Sequence, residues 1–262
     1  MGCIKVLFIG DIVGRVGRRA IKEFLPLLHK KHKPDFVIAN GENAAGGFGI
    51  TPSVASELLK SDIDILTSGN HVWNKKEIYP YLDNSPKLLR PANYPETVPG
   101  YGYHVYNTQA GILIGVINLE GRIFMRPLEC PFRTAEKIIQ QMRAQTLCIL
   151  VDFHAEATSE KQALGWFLDG TVSALIGTHT HVPTADEKIL PEGTAYITDV
   201  GMTGSSHSVI GFQNTVVIEK FLSQLPITFK VAKKGLELQG VIVEIDSNNG
   251  KALSIRRVNM EK

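Results

Sequence analysis

The sequence predicts an α/β fold with a mixed β interior and flanking helices. Short apolar runs rich in Val and Ile alternate along the chain with amphipathic stretches, and this alternation is typical of strands and helices packed in layers. Hydrophobic residues make up 44% of the 262 residues and charged residues 21%, the balance of a globular protein with a sizeable core. No repeat, low-complexity linker or domain boundary interrupts the pattern, so we expect one domain over residues 1–262.

In the first part of the chain the predicted strands and helices alternate. Thr51 is predicted to cap one helix, because its hydroxyl can accept a hydrogen bond from the first turn and Pro52 follows at the first helical position. The predicted elements are the strand Lys5–Ile9, a helix from about Arg15 to Lys31, the strand Asp35–Ala39, a helix from Pro52 to about Lys60, and the strand Ile63–Thr67.

Beyond Pro95 the pattern changes. Two runs, Tyr101–Asn107 and Gly111–Asn118, predict an antiparallel hairpin around Thr108-Gln109-Ala110, because a short polar turn separates two strand-like stretches. The remaining predicted elements are a helix near Thr134–Ala144, the strand Leu147–Phe153, a helix near Glu160–Leu168, the strand Val172–Ile176, a short strand Tyr196–Thr198, and a strand-rich C-terminus from Ile227 to Val258.

Charge and cysteine content exclude several classes of protein. The formal charge is only +2, from 28 Lys and Arg against 26 Asp and Glu, which argues against stable nucleic-acid or membrane binding. Cys3, Cys130 and Cys148 are widely spaced and form no CxxC pair, so neither a disulfide framework nor a cysteine metal site is expected. The apolar run Ile4–Ile9 is too short for a signal peptide, and no run reaches the roughly 18 residues of a membrane span. We therefore expect a soluble, cytoplasmic protein.

Polar and ionisable residues follow the predicted strands at the points where these strands end. They are Asp11, Glu42, Asn43, Asn70, His71, His154, His179 and His181. Because strands of an open α/β sheet present their carboxyl ends at one edge, where ligands bind, these side chains are expected to converge. Carboxylate, amide oxygen and imidazole ligands suit Mn²⁺, Fe or Zn²⁺. The sequence therefore predicts a metal site at this edge.

The segment His179-Thr180-His181 gives the sharpest local signal. In an extended segment the side chains of residues i and i+2 point the same way, so both imidazoles can face one pocket. A single histidine in a turn is more often a surface residue than a ligand. The repetition of Asp, Asn or His after several strands favours the ligand interpretation.

Two other classes of site fail on spacing. Gly10, Gly14 and Gly17 follow a strand with GxxxGxxG spacing, whereas the dinucleotide fingerprint requires GxGxxG. The chain has no GxxxxGK[ST] phosphate loop. His154-Ala155-Glu156 resembles half of a zinc-deaminase motif, but the PCxxC partner that this class needs is missing.

Several ordered blocks resemble those of the calcineurin-like metallophosphoesterases, and more narrowly those of the bacterial YmdB-like family. The resemblance extends from about Ile4 to Val258 and is specific, because long blocks occur in the same order. The blocks are Gly10-Asp11, Ala39-Asn40-Gly41-Glu42-Asn43, Gly69-Asn70-His71, Leu89-Arg90-Pro91-Ala92-Asn93, Asn118-Leu119-Glu120-Gly121-Arg122, Asp152-Phe153-His154-Ala155-Glu156-Ala157-Thr158, Gly177-Thr178-His179-Thr180-His181 and Thr198-Asp199-Val200-Gly201-Met202-Thr203-Gly204.

This resemblance implies a four-layer αββα sandwich and a two-metal phosphodiesterase acting on 2′,3′- and 3′,5′-cyclic nucleotides through a metal-bound hydroxide. It implies two transition-metal ions per chain, Fe or Mn with Zn as the alternative, and assembly into a homo-oligomer. The implied roles are Asp11 and His181 on one metal, Asn70, His154 and His179 on the other, Glu42 bridging them, Asn43 as a further ligand, and His71 as general acid.

Two departures from the broader superfamily sharpen the assignment. Val13 stands where most metallophosphoesterases have the His of an Asp-x-His motif, and Glu42 stands where an Asp usually bridges the metals. Both are traits of the YmdB-like subgroup. The stretch Ser205-Ser206-His207 occupies a position where relatives often carry Pro-Tyr-Asp, and the role of this loop is left open.

Two questions stay open at this stage. Phe48, Trp73 and Phe124 could stack on a nucleobase, and Arg122 could contact phosphate through its guanidinium. Core or structural roles are at least as common, so these four are not among the predicted site residues. A regulatory or scaffold protein that binds metal but has a vestigial site is the alternative function.

Overall fold

The computed structural model describes residues 2–262 and contains two mixed β-sheets with helices on their outer faces. The strands are β1 (Cys3–Ile9), β2 (Asp11–Ile12), β3 (Phe36–Asn40), β4 (Ile65–Thr67), β5 (Tyr103–Asn107), β6 (Leu113–Glu120), β7 (Ile149–His154), β8 (Ala174–Thr178), β9 (Lys188–Ile189), β10 (Ala195–Ile197), β11 (Met202–Gly204), β12 (Glu237–Asp246) and β13 (Ala252–Glu261). The helices are α1 (Gly14–His32), α2 (Pro52–Leu59), α3 (Tyr79–Asn84), α4 (Pro131–Met142), α5 (Thr158–Phe167) and α6 (Asn214–Ser223).

The first sheet is built around β1 and β12. Strands β1, β3 and β4 run parallel to one another, and β12 pairs antiparallel with β1. On its other side β12 pairs with β13, and β11 continues beside the start of β12 and pairs with β2. The parallel strands bring the residues that follow β1, β3 and β4 to one edge of the sheet.

The second sheet has the order β5-β6-β7-β8-β10-β9. Its central strands β6, β7, β8 and β10 are parallel, and the edge strands β5 and β9 pair antiparallel with their neighbours. The ends of β7 and β8 therefore lie at the same edge, where they present His154 and the turn after Thr178.

The two sheets pack face to face, and their inner faces form one apolar core. Phe8 and Ile38 of the first sheet lie in this core with Leu150 and Ile176 of the second. A second cluster fills the space between the first sheet and helices α1 and α2, and a third packs α4 and α5 on the second sheet. Each large apolar side chain buried this way contributes about 1.5–3 kcal/mol. The predicted four-layer αββα sandwich is confirmed.

Most of the predicted elements are present within a few residues of their predicted bounds. Thr51 caps α2 by accepting a hydrogen bond from the backbone N–H of Val54 at 3.3 Å, and β5 and β6 form the predicted antiparallel pair. Residues 227–236, predicted as part of a strand-rich C-terminus, precede the first long strand there. They include Lys233, Lys234 and Gly235, and Gly235 has a φ of +69°, which a strand does not accommodate. The short strands β2, β9 and β11 and helices α3 and α6 were not predicted.

Among residues 2–262 no helix is long and apolar enough to cross a membrane. That residues 1–262 form one domain stays a prediction.

Candidate metal centre

The predicted site residues lie at the carboxyl ends of strands from both sheets. Asp11 begins β2, Glu42 and Asn43 follow β3, Asn70 and His71 follow β4, His154 ends β7, and His179 and His181 follow β8. The first sheet therefore supplies carboxylates, amides and the imidazole of His71, and the second sheet supplies the other three imidazoles.

Two groups of these side chains could each hold a metal ion. The first ligand group consists of Asp11, Glu42 and His181, and the second consists of Glu42, His154 and His179. Within each group the potential ligand atoms lie within 4.8 Å of one another. Glu42 belongs to both groups, so a single carboxylate lies between two adjoining positions.

The second group is centred on Nε2 of His154. Oδ1 of Asn70 lies 3.0 Å from this nitrogen, Nδ1 of His179 lies 3.0 Å from it, and Oε2 of Glu42 lies 3.2 Å from it. Gly69 permits this approach, because a Cβ there would stand 2.2 Å from Cδ2 of His154 and 2.5 Å from Oε2 of Glu42. The glycine before Asn70 is thus a steric requirement of the site.

The first group surrounds the buried Asp11 carboxylate. Its Oδ2 accepts a hydrogen bond from the backbone N–H of His179 at 2.9 Å and lies 3.8 Å from Nε2 of His181. Nδ2 of Asn43 donates to Oε1 of Glu42 at 2.7 Å and lies 3.2 Å from Nε2 of His181. Asn43 therefore points its nitrogen at the group, and ligation through Oδ1 requires a half-turn of the amide. Its role as a ligand stays a prediction.

In His154, His179 and His181, the outer ring nitrogen, which faces away from the ligand group, has its own hydrogen-bond or ion-pair partner. Nδ1 of His154 lies 2.9 Å from the Thr178 hydroxyl, which donates to Asp152 at 2.7 Å. Nε2 of His179 lies 3.0 Å from a Glu156 carboxylate oxygen, and Nδ1 of His181 lies 2.9 Å from the carbonyl oxygen of Ile210. Such partners fix the proton on the outer nitrogen and leave the inner lone pair for a metal.

The turn that carries the two histidines is held in a strained conformation. His179 has a φ of +99° and His181 a φ of +64°, and such backbone costs of the order of 1–3 kcal/mol per residue. Between them, Thr180 donates from its backbone N–H and its hydroxyl to Oδ2 of Asp199, at 3.0 and 2.8 Å. The same oxygen accepts from Nζ of Lys161 at 2.8 Å, and both charged side chains are 1% exposed or less. The buried pair anchors the turn.

Replacing Lys161 with Met is expected to lower the free energy of unfolding by about 3–5 kcal/mol, because the Asp199 carboxylate stays buried without its cation. Urea unfolding of the metal-free chain measures this loss. Lys22→Met is the matched control, because it removes a pair with Glu57 that is 58% and 32% exposed and should cost about 1 kcal/mol or less. Equal small losses in the two variants would show that the buried pair does not stabilise the turn.

Burial and mutual charge set the protonation of the site. Burial lowers the pKa of His179 to about 3 and also lowers that of His181, so both rings are neutral and can donate a lone pair at pH 7. Burial also disfavours charge on His154, but the Glu42 carboxylate outweighs it and raises the pKa of His154 to about 9. Burial raises the pKa of Asp11 well above its usual value.

These residues fit a metal centre. Without a metal ion, Nε2 of His154 faces three acceptors, Oδ1 of Asn70, Nδ1 of neutral His179 and Oε2 of Glu42, which is more than one N–H can serve. Oδ1 of Asp11 and Oδ1 of Asn43 are also buried without a hydrogen-bond partner. Buried acceptors of this kind are costly unless they bind a cation. Carboxylate, amide and imidazole donors without thiolate match Mn, Fe or Zn.

His71 lies at the side of the second group. Its backbone N–H donates to Oε2 of Glu42 at 3.2 Å, and Nδ2 of Asn74 lies 3.3 Å from its Nδ1. Because an amide nitrogen only donates, Nδ1 accepts, and the neutral ring carries its proton on Nε2. Among residues 2–262 no partner is found for Nε2, which leaves this proton free for a substrate. Burial lowers the pKa of His71.

The residues whose roles could not be decided from the sequence have different surroundings in the structure. The Phe48 ring lies 5.0 Å from that of His71, so it borders the site, whereas Trp73 packs on Tyr79 and Tyr94. Phe124 is 88% exposed. Arg122 is also exposed and uses its backbone N–H to bind Glu160 at 3.0 Å. His207 is exposed and makes no hydrogen bond to the candidate ligand residues.

Sequence reasoning missed the residues that support the ligands. Asp152 and Glu156 lie in the quoted block around His154, and Asp199 lies in the block Thr198–Gly204. The blocks were therefore a signal that these positions matter, but only the contacts assign their partners.

Two sheets packed between layers of helices define the metallophosphoesterase class of fold, and Asp, Glu, Asn and His gather at the carboxyl ends of its strands. The model of one family within that class, described as YmdB-like protein, matches residues 7–258. The chain belongs to the YmdB-like family, and the resemblance seen in the sequence blocks is confirmed.

Individual relatives agree over nearly their full lengths. A Bacillus subtilis (strain 168) protein named 2′,3′-cyclic-nucleotide 2′-phosphodiesterase is 50% identical over 255 residues, which cover 97% of this chain and 96% of that protein. A crystal structure of a hypothetical protein from Thermus thermophilus, 40% identical, has a TM-score of 0.92 and covers 99% of this chain and 100% of that one. The structure of a novel phosphatase from Mycoplasma pneumoniae, 36% identical, has a TM-score of 0.93 and covers 100% and 94%.

Proposed function

We propose that this protein is a metal-dependent phosphodiesterase with a two-metal centre, acting on 2′,3′- and 3′,5′-cyclic nucleotides. The observation that carries the proposal is the position of Glu42, which is shared by two ligand groups whose atoms lie within 4.8 Å of one another. Two-metal phosphoester hydrolysis uses two cations about 3.5–4 Å apart, and a carboxylate shared by two adjoining ligand groups can bridge such a pair.

The proposed ligand roles follow the two groups. Asp11 and His181 hold one metal, with Asn43 as a further ligand. Asn70, His154 and His179 hold the other, and Glu42 bridges the pair. When bound, two such ions offset the negative charge of a phosphodiester and lower the pKa of a bound water.

His71 is proposed as the general acid. Its Nε2–H is free of protein partners among residues 2–262 and can donate a proton to the oxygen that leaves phosphorus. The backbone hydrogen bond to Glu42 and the contact of Nδ1 with Asn74 orient the ring. A proton donor positioned in this way contributes about 10²–10⁴-fold to the rate.

The substrate class rests on the Bacillus subtilis relative, whose name specifies 2′,3′-cyclic nucleotides. At 50% identity over 97% of the chain, the same substrate class is proposed here. Hydrolysis of 3′,5′-cyclic nucleotides is a finer proposal that rests on the family resemblance alone. Comparing turnover of 2′,3′-cyclic AMP with that of 3′,5′-cyclic AMP separates the two.

Loading the purified chain with Mn²⁺ or Fe²⁺ is expected to yield close to two metal ions per chain and hydrolysis of bis-p-nitrophenyl phosphate. Metal analysis and the release of p-nitrophenol measure both, and a chelator should remove both together. A stoichiometry near zero after loading would overturn the proposed centre.

The same assay tests the alternative of a metal-binding scaffold with a vestigial site. Bound metal together with hydrolysis no faster than that of the Glu42→Gln variant would favour the scaffold. A cytoplasmic location, the absence of stable nucleic-acid binding and assembly into a homo-oligomer stay predictions, and light scattering during gel filtration tests the last of them.

A further inference from the structure

A cavity of about 860 Å³ lies between α4 and the segment that leads from Arg90 to the edge strand β5. Arg90, Tyr101 and Tyr103 line it on one side, and Arg133 lines it from α4. None of the residues of the two ligand groups lines it. Asn93 forms part of its wall and binds the backbone of Glu120, so a layer of chain separates this cavity from the metal centre.

The most unusual group in this wall is the Arg90 side chain, which is only 6% exposed. Its Nε donates to the carbonyl oxygen of Pro99 at 3.2 Å, and its Nη1 donates to that of Pro91 at 2.9 Å. Among residues 2–262, Nη2 has no hydrogen-bond partner and no carboxylate lies within 4.0 Å of the guanidinium. The two carbonyl groups orient the guanidinium without neutralising its charge.

A buried cation of this kind favours the binding of an anion, because desolvation of a charge is costly unless the charge is paired. Burial alone lowers the pKa of Arg90, and no acidic residue contributes to that shift. Of the two glutamates in the cavity wall, Glu96 lies 3.1 Å from Nζ of Lys137 and is 90% exposed. Glu129 is also exposed. Arg133 adds a second positive charge with no ion-pair partner among the described residues.

The remaining walls indicate what the anion belongs to. Tyr101 and Tyr103 are 42% and 37% exposed, and the Tyr103 hydroxyl donates to Gln141 of α4 at 3.0 Å, which fixes its ring across the cavity. Tyr101 is tied to Arg90 by a backbone hydrogen bond of 2.9 Å. Aromatic rings and a guanidinium that line the same cavity favour a planar base joined to a phosphate.

We propose that this cavity is a second binding site, distinct from the metal centre, for a nucleoside monophosphate whose phosphate binds Arg90 and Arg133 and whose base packs on Tyr101 or Tyr103. A volume of about 860 Å³ exceeds the need of inorganic phosphate and lies within the usual range for small-molecule sites. The site also gives a role to the Leu89–Asn93 block, which the metal centre does not use.

Isothermal titration of the Mn²⁺-loaded chain with AMP tests this site. We expect the Glu42→Gln variant, whose metal centre is lost, to keep AMP binding at this cavity, and Arg133→Ala and Tyr101→Ala to weaken it about tenfold or more. Both of these side chains are exposed, so the two variants should fold. Arg90→Lys keeps the positive charge but loses the planar, two-pronged arrangement of guanidinium donors, so it should also weaken AMP binding. Arg143→Ala, just beyond the C-terminal end of α4 and not part of the cavity lining, is the matched control.

Three outcomes would overturn the proposal. One is the absence of AMP binding to wild type up to about 10 mM, a level at which even weak sites fill. Another is binding that Glu42→Gln removes while the cavity variants retain it, since the metal centre then accounts for it. The third is adenosine binding as tightly as AMP, because the phosphate then makes no contact with Arg90. Competition by inorganic phosphate that is weaker than AMP would support the site.

Discussion

Replacing Glu42 with Gln is expected to remove both metal ions and almost all phosphodiesterase activity. Glu42 is the only residue that belongs to both ligand groups found among residues 2–262, so the change removes a charge from both positions at once. Since outer partners of metal ligands already cost about 10–100-fold in metal affinity when lost, the loss here should exceed about 100-fold.

Metal content, turnover and thermal unfolding together measure this result. In wild type, Mn²⁺ at about 100 times its dissociation constant should stabilise the fold by about 2.7 kcal/mol and raise Tm by roughly 5–10 °C. We expect that rise to vanish in Glu42→Gln. Glu42→Asp keeps the charge on a shorter side chain and should retain part of the binding, and Glu136→Gln, on the exposed face of α4, should behave as wild type. Full metal occupancy in Glu42→Gln would refute the bridging role.

The bridging position matters because the two sheets contribute different chemistry. The proposed ligands from the first sheet are carboxylates and amides, and those from the second are imidazoles. Glu42 comes from the first sheet, and its Oε2 lies 3.2 Å from Nε2 of His154, which ends β7 in the second. Cations at the shared edge would therefore hold the two inner layers of the sandwich together as well as bind substrate.

The convergence of the candidate ligand residues could be predicted because each one follows a strand that is readable on its own. Asp11 comes directly after an apolar run and Gly10, His154 ends another run, and His179 and His181 follow a third. A strand end is a local feature, and parallel strands bring their ends to one edge by topology. No long-range contact has to be known for this inference.

The layering could not be predicted from the pattern of β1. Val6 and Phe8 face the core between the sheets, and Leu7 and Ile9 face the core beneath the helices. Because both faces of β1 are buried, the strand is apolar throughout and lacks the alternation that would show which side is which. The four layers were implied only by the family resemblance.

The buried residues that support the site could not be predicted from the sequence either. Lys161 lies on a helix, where a lysine usually faces water, yet it is 1% exposed and pairs with Asp199, which lies 38 residues further along the chain. The strands β2 and β11 have two and three residues, too few for a periodic signal. Helix α6 could not be predicted because its apolar residues do not all face the core: Phe221 and Leu222 are 72% and 82% exposed. A packed helix usually places its apolar residues on one buried face.

Replacing His71 with Ala is expected to lower turnover by about 10²–10⁴-fold while both metal ions stay bound. The imidazole of His71 belongs to neither ligand group, and the contact between His71 and Glu42 is made by the backbone N–H at 3.2 Å, which alanine retains. The variant therefore removes the proton donor and leaves the proposed metal ligands in place. Turnover of bis-p-nitrophenyl phosphate and of 2′,3′-cyclic AMP, measured beside metal content, tests this separation.

The two substrates distinguish a proton donor from a residue that only shapes the site. p-Nitrophenolate departs without help from an acid, whereas the ribose alkoxide released from 2′,3′-cyclic AMP needs a proton, so the loss should be much larger for the cyclic nucleotide. His32→Ala, at the C-terminal end of α1, is the matched control and should leave both rates unchanged. Equal losses on the two substrates with metal retained would make His71 a positioning residue. Loss of metal would make it part of the support of the metal centre, in contradiction to the role proposed here.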